Sequence, residues 1–262
     1  MIRVGVFGAA GRMGRTVCEA VAAEPGLVLV AAVDPRRAGV ELASIADVDG
    51  DLQVAASPDA LVDAEAEVVV DFTVADAARQ NLAFAAEHGL HAVVGTTGFT
   101  TADFDAIKAE FTRSSCLIAA NFAIGAVLMM RFAALAAPWF ETAEIIELHH
   151  DAKIDAPSGT AMRTAERMAA ASADWADDPT TKTILHGARG SEGPGGIPIH
   201  SVRLRGLFAH QEVLLGTAGQ SLSIRHDTYD RTCYVPGVLL AVRRVAERPG
   251  LTLGLEPLLD LD

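Results

Sequence analysis

The chain has 262 residues, half of them hydrophobic, enough to bury one large core or two ordinary ones. Its formal net charge of −13 excludes a basic footprint for nucleic acid or an anionic membrane, so any anionic ligand needs a local basic site. Apolar runs such as 125–138 stop short of a bilayer span, Met1-Ile-Arg-Val enters a strand with no leader, and Cys18, Cys116 and Cys233 are odd in number and scattered. These features set the expectation of a globular, cytoplasmic protein with reduced thiols.

Arg3 to Phe7 reads as a short buried strand, and Gly8-Ala-Ala-Gly11-Arg-Met-Gly14 leads from it into a helix whose Met13, Val17 and Val21 recur every fourth residue. Glycines at such a strand-to-helix turn permit positive φ and let a pyrophosphate approach the backbone at the helix N-terminus. The spacing is G-x-x-G-x-x-G, not the commoner G-x-G-x-x-G, so the context carries more than the letters. Leu27 to Val33 is a second strand ending in Asp34, where a carboxylate would accept hydrogen bonds from an adenosine ribose. Arg36 and Arg37 follow, and a guanidinium there suits a 2′-phosphate, which leaves NADH and NADPH both open.

Strands near Gln53 to Ala56, at Val68 to Phe72, at Ala92 to Gly95 and at Cys116 to Ala120 alternate with helices at Ala75 to His88 and Thr101 to Phe111. This is the pattern of an α/β fold with a doubly wound, Rossmann-like parallel sheet, whose strand ends at Asp71-Phe72-Thr73 and Gly95-Thr96-Thr97 face the ligand. The regular alternation ends at Asn121-Phe-Ala-Ile-Gly125, where a domain crossing is expected. A helix at Ala126 to Ala137, a strand at Ala143 to Leu148 and a helix at Ala161 to Ala171 open the second region. A glycine-rich loop from Gly187 to Pro198 precedes strand-like runs at Ser201 to Leu207, Gln211 to Leu215 and Ser221 to Arg225. Strands gathered without helices between them predict an α+β domain with one open face on a mixed sheet. Side chains such as Val213 and Leu215 would be covered there by the domain's own helices or, the reading preferred, by a second subunit. The helix Val235 to Glu247 then returns to the first domain.

The chemistry concentrates in Glu147-Leu-His-His-Asp-Ala-Lys-Ile-Asp-Ala-Pro-Ser-Gly-Thr160. His149 and His150 fall at a strand end, where alternation sends them to opposite faces and so to different tasks. Lys153 adds an amine four residues after His149, and Ser158, Gly159 and Thr160 start a helix whose first N–H groups lack intrahelical partners. The cluster suits a small carboxylate substrate that must also receive a proton. A metal is not expected: His-His-Asp lacks the helical i, i+4 spacing and has no cysteine nearby.

These motifs resemble the 4-hydroxy-tetrahydrodipicolinate (dihydrodipicolinate) reductase family of lysine and diaminopimelate synthesis. The fourteen-residue stretch matches the family's E-x-H-H-x-x-K-x-D-A-P-S-G-T at every defined position, and the glycine loop, Gly95-Thr-Thr-Gly-Phe99 and Asn121 to Gly125 support it. The resemblance implies an NAD(P)H-dependent reductase in which His149 is the acid/base residue and Lys153 a proton donor. His150, Lys153, Ser158, Gly159 and Thr160 would bind substrate. Gly8, Ala9, Ala10, Gly11, Arg12, Met13, Asp34, Arg36, Phe72, Gly95, Thr96, Thr97, Ala120, Asn121 and Phe122 would line the cofactor. It further implies a homotetramer, with a dinucleotide-binding domain of 1–121 and 230–262 closing about a hinge on a substrate-binding and tetramerisation domain of 122–229. Two rival readings are another nicotinamide oxidoreductase, of homoserine or aspartate dehydrogenase type, and a non-catalytic sensor that binds the dinucleotide.

Overall fold

The computed structural model describes residues 1–261 and divides into two compact units, residues 1–124 with 231–262 and residues 125–230. In the first, β1 (Ile2–Phe7), α1 (Arg12–Ala23), β2 (Leu27–Val33), β3 (Val54–Ala55), α2 (Asp59–Asp63), β4 (Val68–Asp71), α3 (Ala75–His88), β5 (His91–Val94), α4 (Thr101–Glu110) and β6 (Ser115–Ile118) follow in chain order. The second holds α5 (Ile124–Ala136), β7 (Thr142–His149), α6 (Gly159–Ala171), β8 (Ser191–Glu192), β9 (Pro198–Arg203), β10 (Ala209–Thr217) and β11 (Gln220–Thr228). The chain finishes back in the first unit with α7 (Val235–Arg244) and β12 (Gly250–Leu253).

The first sheet is seven-stranded and parallel, in the order β12-β6-β5-β4-β1-β2-β3. Valine-rich β1, β4 and β5 are buried almost throughout, as strands covered by helices on both faces must be. Strand order reverses between β1 and β4, which places a topological switch point beside the glycine turn. Local chemistry sets the helix ends. A reciprocal capping box of Thr100 and Asp103 opens α4, and Gly89, left-handed at φ 71°, closes α3 by donating its N–H back to Ala85 and Ala86.

The second sheet is mixed, in the order β11-β10-β7-β9-β8, with β7 and β9 parallel and the other pairs antiparallel. One face packs Ile145, Ile199, Val213 and Leu215 against Ala133 of α5 and Ala161, Ala165 and Met168 of α6. Here the sequence expectation needs correction. Val213 and Leu215 do not cover an open face; they are fully buried under their own domain's helices, because alternation puts the odd-numbered residues of β10 on the helix side. The open face carries their even-numbered neighbours, among them Glu212 and the exposed Leu214.

Most elements lie where periodicity put them. β9 is displaced, since it begins at Pro198 and ends at Arg203: residues 204–207 alternate like a strand but are turned by Gly206 at φ 88°. The Gly187 to Pro198 loop holds a two-residue strand, β8, and β12 is an edge strand too short to show a period.

Candidate functional site

Because the first sheet is parallel, the ends of β1, β2, β4, β5 and β6 share one edge, and every candidate cofactor residue lies there. Gly8 takes φ 65°, and its carbonyl accepts the Gly11 N–H at 2.9 Å to close the turn. Gly14 is packed so closely that a Cβ would sit 2.0 Å from the Gly8 carbonyl oxygen, so only glycine fits. α1 begins at Arg12 and Met13 behind Gly11, an N-cap with no side chain to bond the first-turn amides, and no acidic residue occupies that turn. An uncapped helix start beside a close-packed glycine turn fits the pyrophosphate of a dinucleotide.

Asp34 holds the glycine turn in place. Its carboxylate accepts the Ala10 N–H at 3.3 Å and the Arg36 N–H at 3.1 Å, tying the glycine turn to the end of β2. Ala9 is buried, and Arg36 and Arg37 are exposed beside it. At the next strand ends, buried Asp71 accepts from the Thr73 N–H at 2.7 Å, the Thr73 hydroxyl at 2.6 Å, Asn81 at 2.7 Å and the Thr96 hydroxyl at 3.3 Å. Phe72 leans on Phe122, ring centroids 5.5 Å apart, and covers Gly95, where a Cβ would meet the Phe72 ring. Thr97 and Ala120 are exposed, and Asn121 turns the chain by accepting the Ala123 N–H at 2.8 Å.

In the second unit, Glu147 occupies the centre of a polar cluster. Strand alternation puts it on the same side of β7 as His149, and the imidazole Nδ1–H donates to its Oε2 at 2.6 Å. Arg203, paired with His149 across β7 and β9, grips both Glu147 oxygens at 2.8 Å in the fork-to-fork manner. The Ser201 hydroxyl bonds the same carboxylate, and the Ser158 N–H donates to it at 3.2 Å, joining the strand to the start of α6. Burial pushes the Glu147 carboxyl up, but the bonds from His149, Arg203 and Ser201 outweigh it and hold the group at about 2. With Nδ1 committed, Nε2 is the ring nitrogen of His149 left to meet a substrate.

Lys153 is held bidentately by Asp155 at 2.7 and 2.8 Å, and that ammonium draws the Asp155 carboxyl below its ordinary range. The Asp155 carbonyl accepts from Arg203 Nη2 at 2.7 Å, so the lysine loop is fastened to the same guanidinium as Glu147. α6 starts at Gly159, capped by Ser158, whose hydroxyl accepts the Ala161 N–H at 3.2 Å. Gly159 is exposed, with open space where a Cβ would stand, and the Thr160 carbonyl accepts the Thr164 hydroxyl at 2.8 Å. His150 stands apart from this network, exposed, with its ring 6.5 Å from that of Phe208. The sequence reading missed Glu147 as a site residue although strand alternation pairs it with His149; for Arg203, on a strand 56 residues further on, there was no local signal.

No helix among the described residues is long and apolar enough to cross a membrane. The family models for the dihydrodipicolinate reductase N-terminus and C-terminus match residues 2–122 and 125–259. A 4-hydroxy-tetrahydrodipicolinate reductase of Mycobacterium sp. (strain KMS) is 53% identical over 99% of this chain and 100% of that relative, and one of Mycobacterium marinum is 52% identical over the same shares. Among solved structures, dipicolinate-bound dihydrodipicolinate reductase from Paenisporosarcina sp. TG-14 superposes with a TM-score of 0.88 at 39% identity, covering 98% of this chain and 99% of that one. GenD2 from gentamicin A biosynthesis, in complex with NAD, shares the fold alone, at 16% identity and a TM-score of 0.62 over 98% of this chain and 90% of that one. With two family models spanning nearly the whole sequence and relatives identical at half their positions, the chain belongs to the dihydrodipicolinate reductase family and catalyses the NAD(P)H-dependent reduction of 4-hydroxy-tetrahydrodipicolinate to tetrahydrodipicolinate on the diaminopimelate route to lysine.

Proposed function

We propose that His149 is the acid/base residue of this reduction and that Lys153 is its proton donor, with His150, Lys153, Ser158, Gly159 and Thr160 holding the substrate. The observation that carries this reading is the 2.6 Å bond from His149 Nδ1 to buried Glu147, which fixes the tautomer and leaves Nε2 free for proton transfer. Around it, the Lys153 ammonium and the first-turn N–H groups of α6 supply the positive partners that a cyclic dicarboxylate needs in an acidic protein. Asp155 holds the Lys153 amine in place by two hydrogen bonds until a substrate carboxylate shares them.

In the first unit, Gly8, Ala9, Ala10, Gly11, Arg12 and Met13 would cradle the pyrophosphate of NADH or NADPH. Asp34 would take ribose hydroxyls, Arg36 a 2′-phosphate, and Phe72, Gly95, Thr96, Thr97, Ala120, Asn121 and Phe122 the nicotinamide end. Loss of the C4 hydroxyl as water would leave a C=C conjugated to the ring imine; when bound, the reduced nicotinamide would supply a hydride to C4 of that conjugated imine, and the enamine so formed would take its proton from the protein. We further place the enzyme in the cytoplasm, in keeping with cysteines that are odd in number and scattered along the chain, and assign it a homotetramer built on the open face of the mixed sheet, where Leu214 is exposed; sedimentation of the purified chain measures the latter.

The test generates the unstable substrate in situ with the preceding synthase and follows loss of nicotinamide absorbance with NADH and NADPH separately. His149→Gln should lower kcat by about 10²- to 10⁴-fold with little change in KM, and Lys153→Ala should lower kcat and raise KM. Unchanged kinetics in both variants would remove His149 and Lys153 from these roles.

A further inference from the structure

Arg203, which lies outside the fourteen-residue motif, bonds to two of its segments, the end of β7 and the loop that carries Lys153. Its side chain is 20% exposed, it binds both oxygens of fully buried Glu147 at 2.8 Å, and through Glu147 it fixes His149. Its Nη2 also donates to the Asp155 carbonyl at 2.7 Å, and Asp155 in turn holds Lys153. A fourth bond, from Nη1 to the Val202 carbonyl at 2.8 Å, anchors the guanidinium to its own strand, while Nε is buried without a partner. A planar group carrying this many directed bonds, and leaving one donor unpaired to do so, is placed by geometry and not by charge alone.

We infer that Arg203 is a positioning residue of the reaction: one guanidinium grips Glu147 on one side and the lysine loop on the other, and so sets the separation of His149 and Lys153. The two proton-bearing groups lie on different segments, a strand end and a loop, and Arg203 bonds to both segments from β9. It also shares the Glu147 carboxylate with His149, so its removal takes away the fork that fixes the oxygen to which the imidazole is bonded. This inference rests on the roles proposed above for His149 and Lys153.

The experiment compares Arg203→Lys and Arg203→Gln with the parent in kcat, KM, pH–rate profile and the ¹⁵N imidazole signals of His149, assigned by their loss in His149→Gln. Lysine keeps the charge but not the fork, and should lower kcat about tenfold with KM changed less than threefold; glutamine should lower it about 10²-fold, the scale of an ångström's misplacement. The His149 signals should move in both variants, and the pH–rate profile of Arg203→Gln should differ from that of the parent. A merely structural arginine would change thermal stability and leave the profile and the imidazole signals in place. Should Arg203→Gln fail to fold, Arg203→Lys decides alone: parental kcat with parental imidazole signals overturns the inference. If His149→Gln and Lys153→Ala are inactive while both Arg203 variants match the parent, only the positioning role falls; if His149→Gln and Lys153→Ala are themselves fully active, the assignment beneath it falls.

Discussion

The two sheets hold their polar edges by opposite means. At the glycine turn of the parallel sheet, shape is set by backbone contacts: Gly8 in the left-handed region, Gly14 against the Gly8 carbonyl, Gly95 under the Phe72 ring. On the helix-covered face of the mixed sheet, shape is set by charge: a carboxylate with no exposure is gripped by an arginine, a histidine and a serine from two strands. The first arrangement should therefore fail when volume is added. The second should tolerate small changes of volume and fail when a charge is removed.

The sharpest way to break that contrast is Gly14→Ala. The added methyl would lie 2.0 Å from the Gly8 carbonyl oxygen, 2.7 Å from its carbon and 2.8 Å from Ala9 Cα, all backbone atoms that cannot rotate away. Overpacking of this kind costs on the order of 3 kcal/mol or more, so the denaturation midpoint should fall steeply and NADH binding should go with it. A Gly14→Ala protein as stable as its parent would show that the turn is held by something other than close packing.

Acid should single out the other sheet. Glu147 titrates at about 2 in the folded protein against an ordinary 4.5, so its contribution is fully present above 4.5 and is lost as pH falls toward 2. The shift corresponds to roughly 3 kcal/mol across that window, set against exposed pairs such as Arg244 with Asp260 that solvent screens. Glu147→Gln should be less stable than the parent at neutral pH, because Arg203 loses its counter-charge, yet show a flatter loss of stability between those two values. Parallel pH curves for the two proteins would mean that the carboxylate's bonds contribute nothing to folding.

The same contrast explains what the sequence made legible. Backbone-determined features are local in the chain: Gly8, Gly11 and Gly14 announce their turn, valine runs announce buried strands, and Ser158 announces the start of α6, so the parallel sheet and its nucleotide edge were readable in order. Charge-determined features are not local. Glu147 and Arg203 are 56 residues apart and meet only because β7 and β9 run parallel in register, a pairing no periodicity encodes. Val213 and Leu215 were misplaced for a related reason: alternation shows that a strand has two faces but not which of them α5 and α6 cover. The start of β9 was missed because Pro198 to His200 follow directly on a glycine-rich loop, whereas the turn beyond its end is marked by Gly206.

The smallest effect on stability should come from a glycine of the second unit, and it sharpens the comparison by reversing Gly14. A Cβ at Gly159 meets nothing within 4 Å, and the residue opens α6 with no left-handed φ to protect. Alanine is the better helix former by up to about 1 kcal/mol, so Gly159→Ala should melt at the parent's temperature or slightly above it. The methyl would nevertheless add bulk at the helix start, where the proposed carboxylate site needs close approach to the first-turn N–H groups. KM for the diacid should rise about tenfold while NADH binding, measured by calorimetry, stays unchanged. That outcome would separate the two glycines by cause, Gly14 kept for packing within the protein and Gly159 for room to admit a ligand. An unaltered KM would move the carboxylate away from Gly159 and leave Lys153 and His150 to bind it.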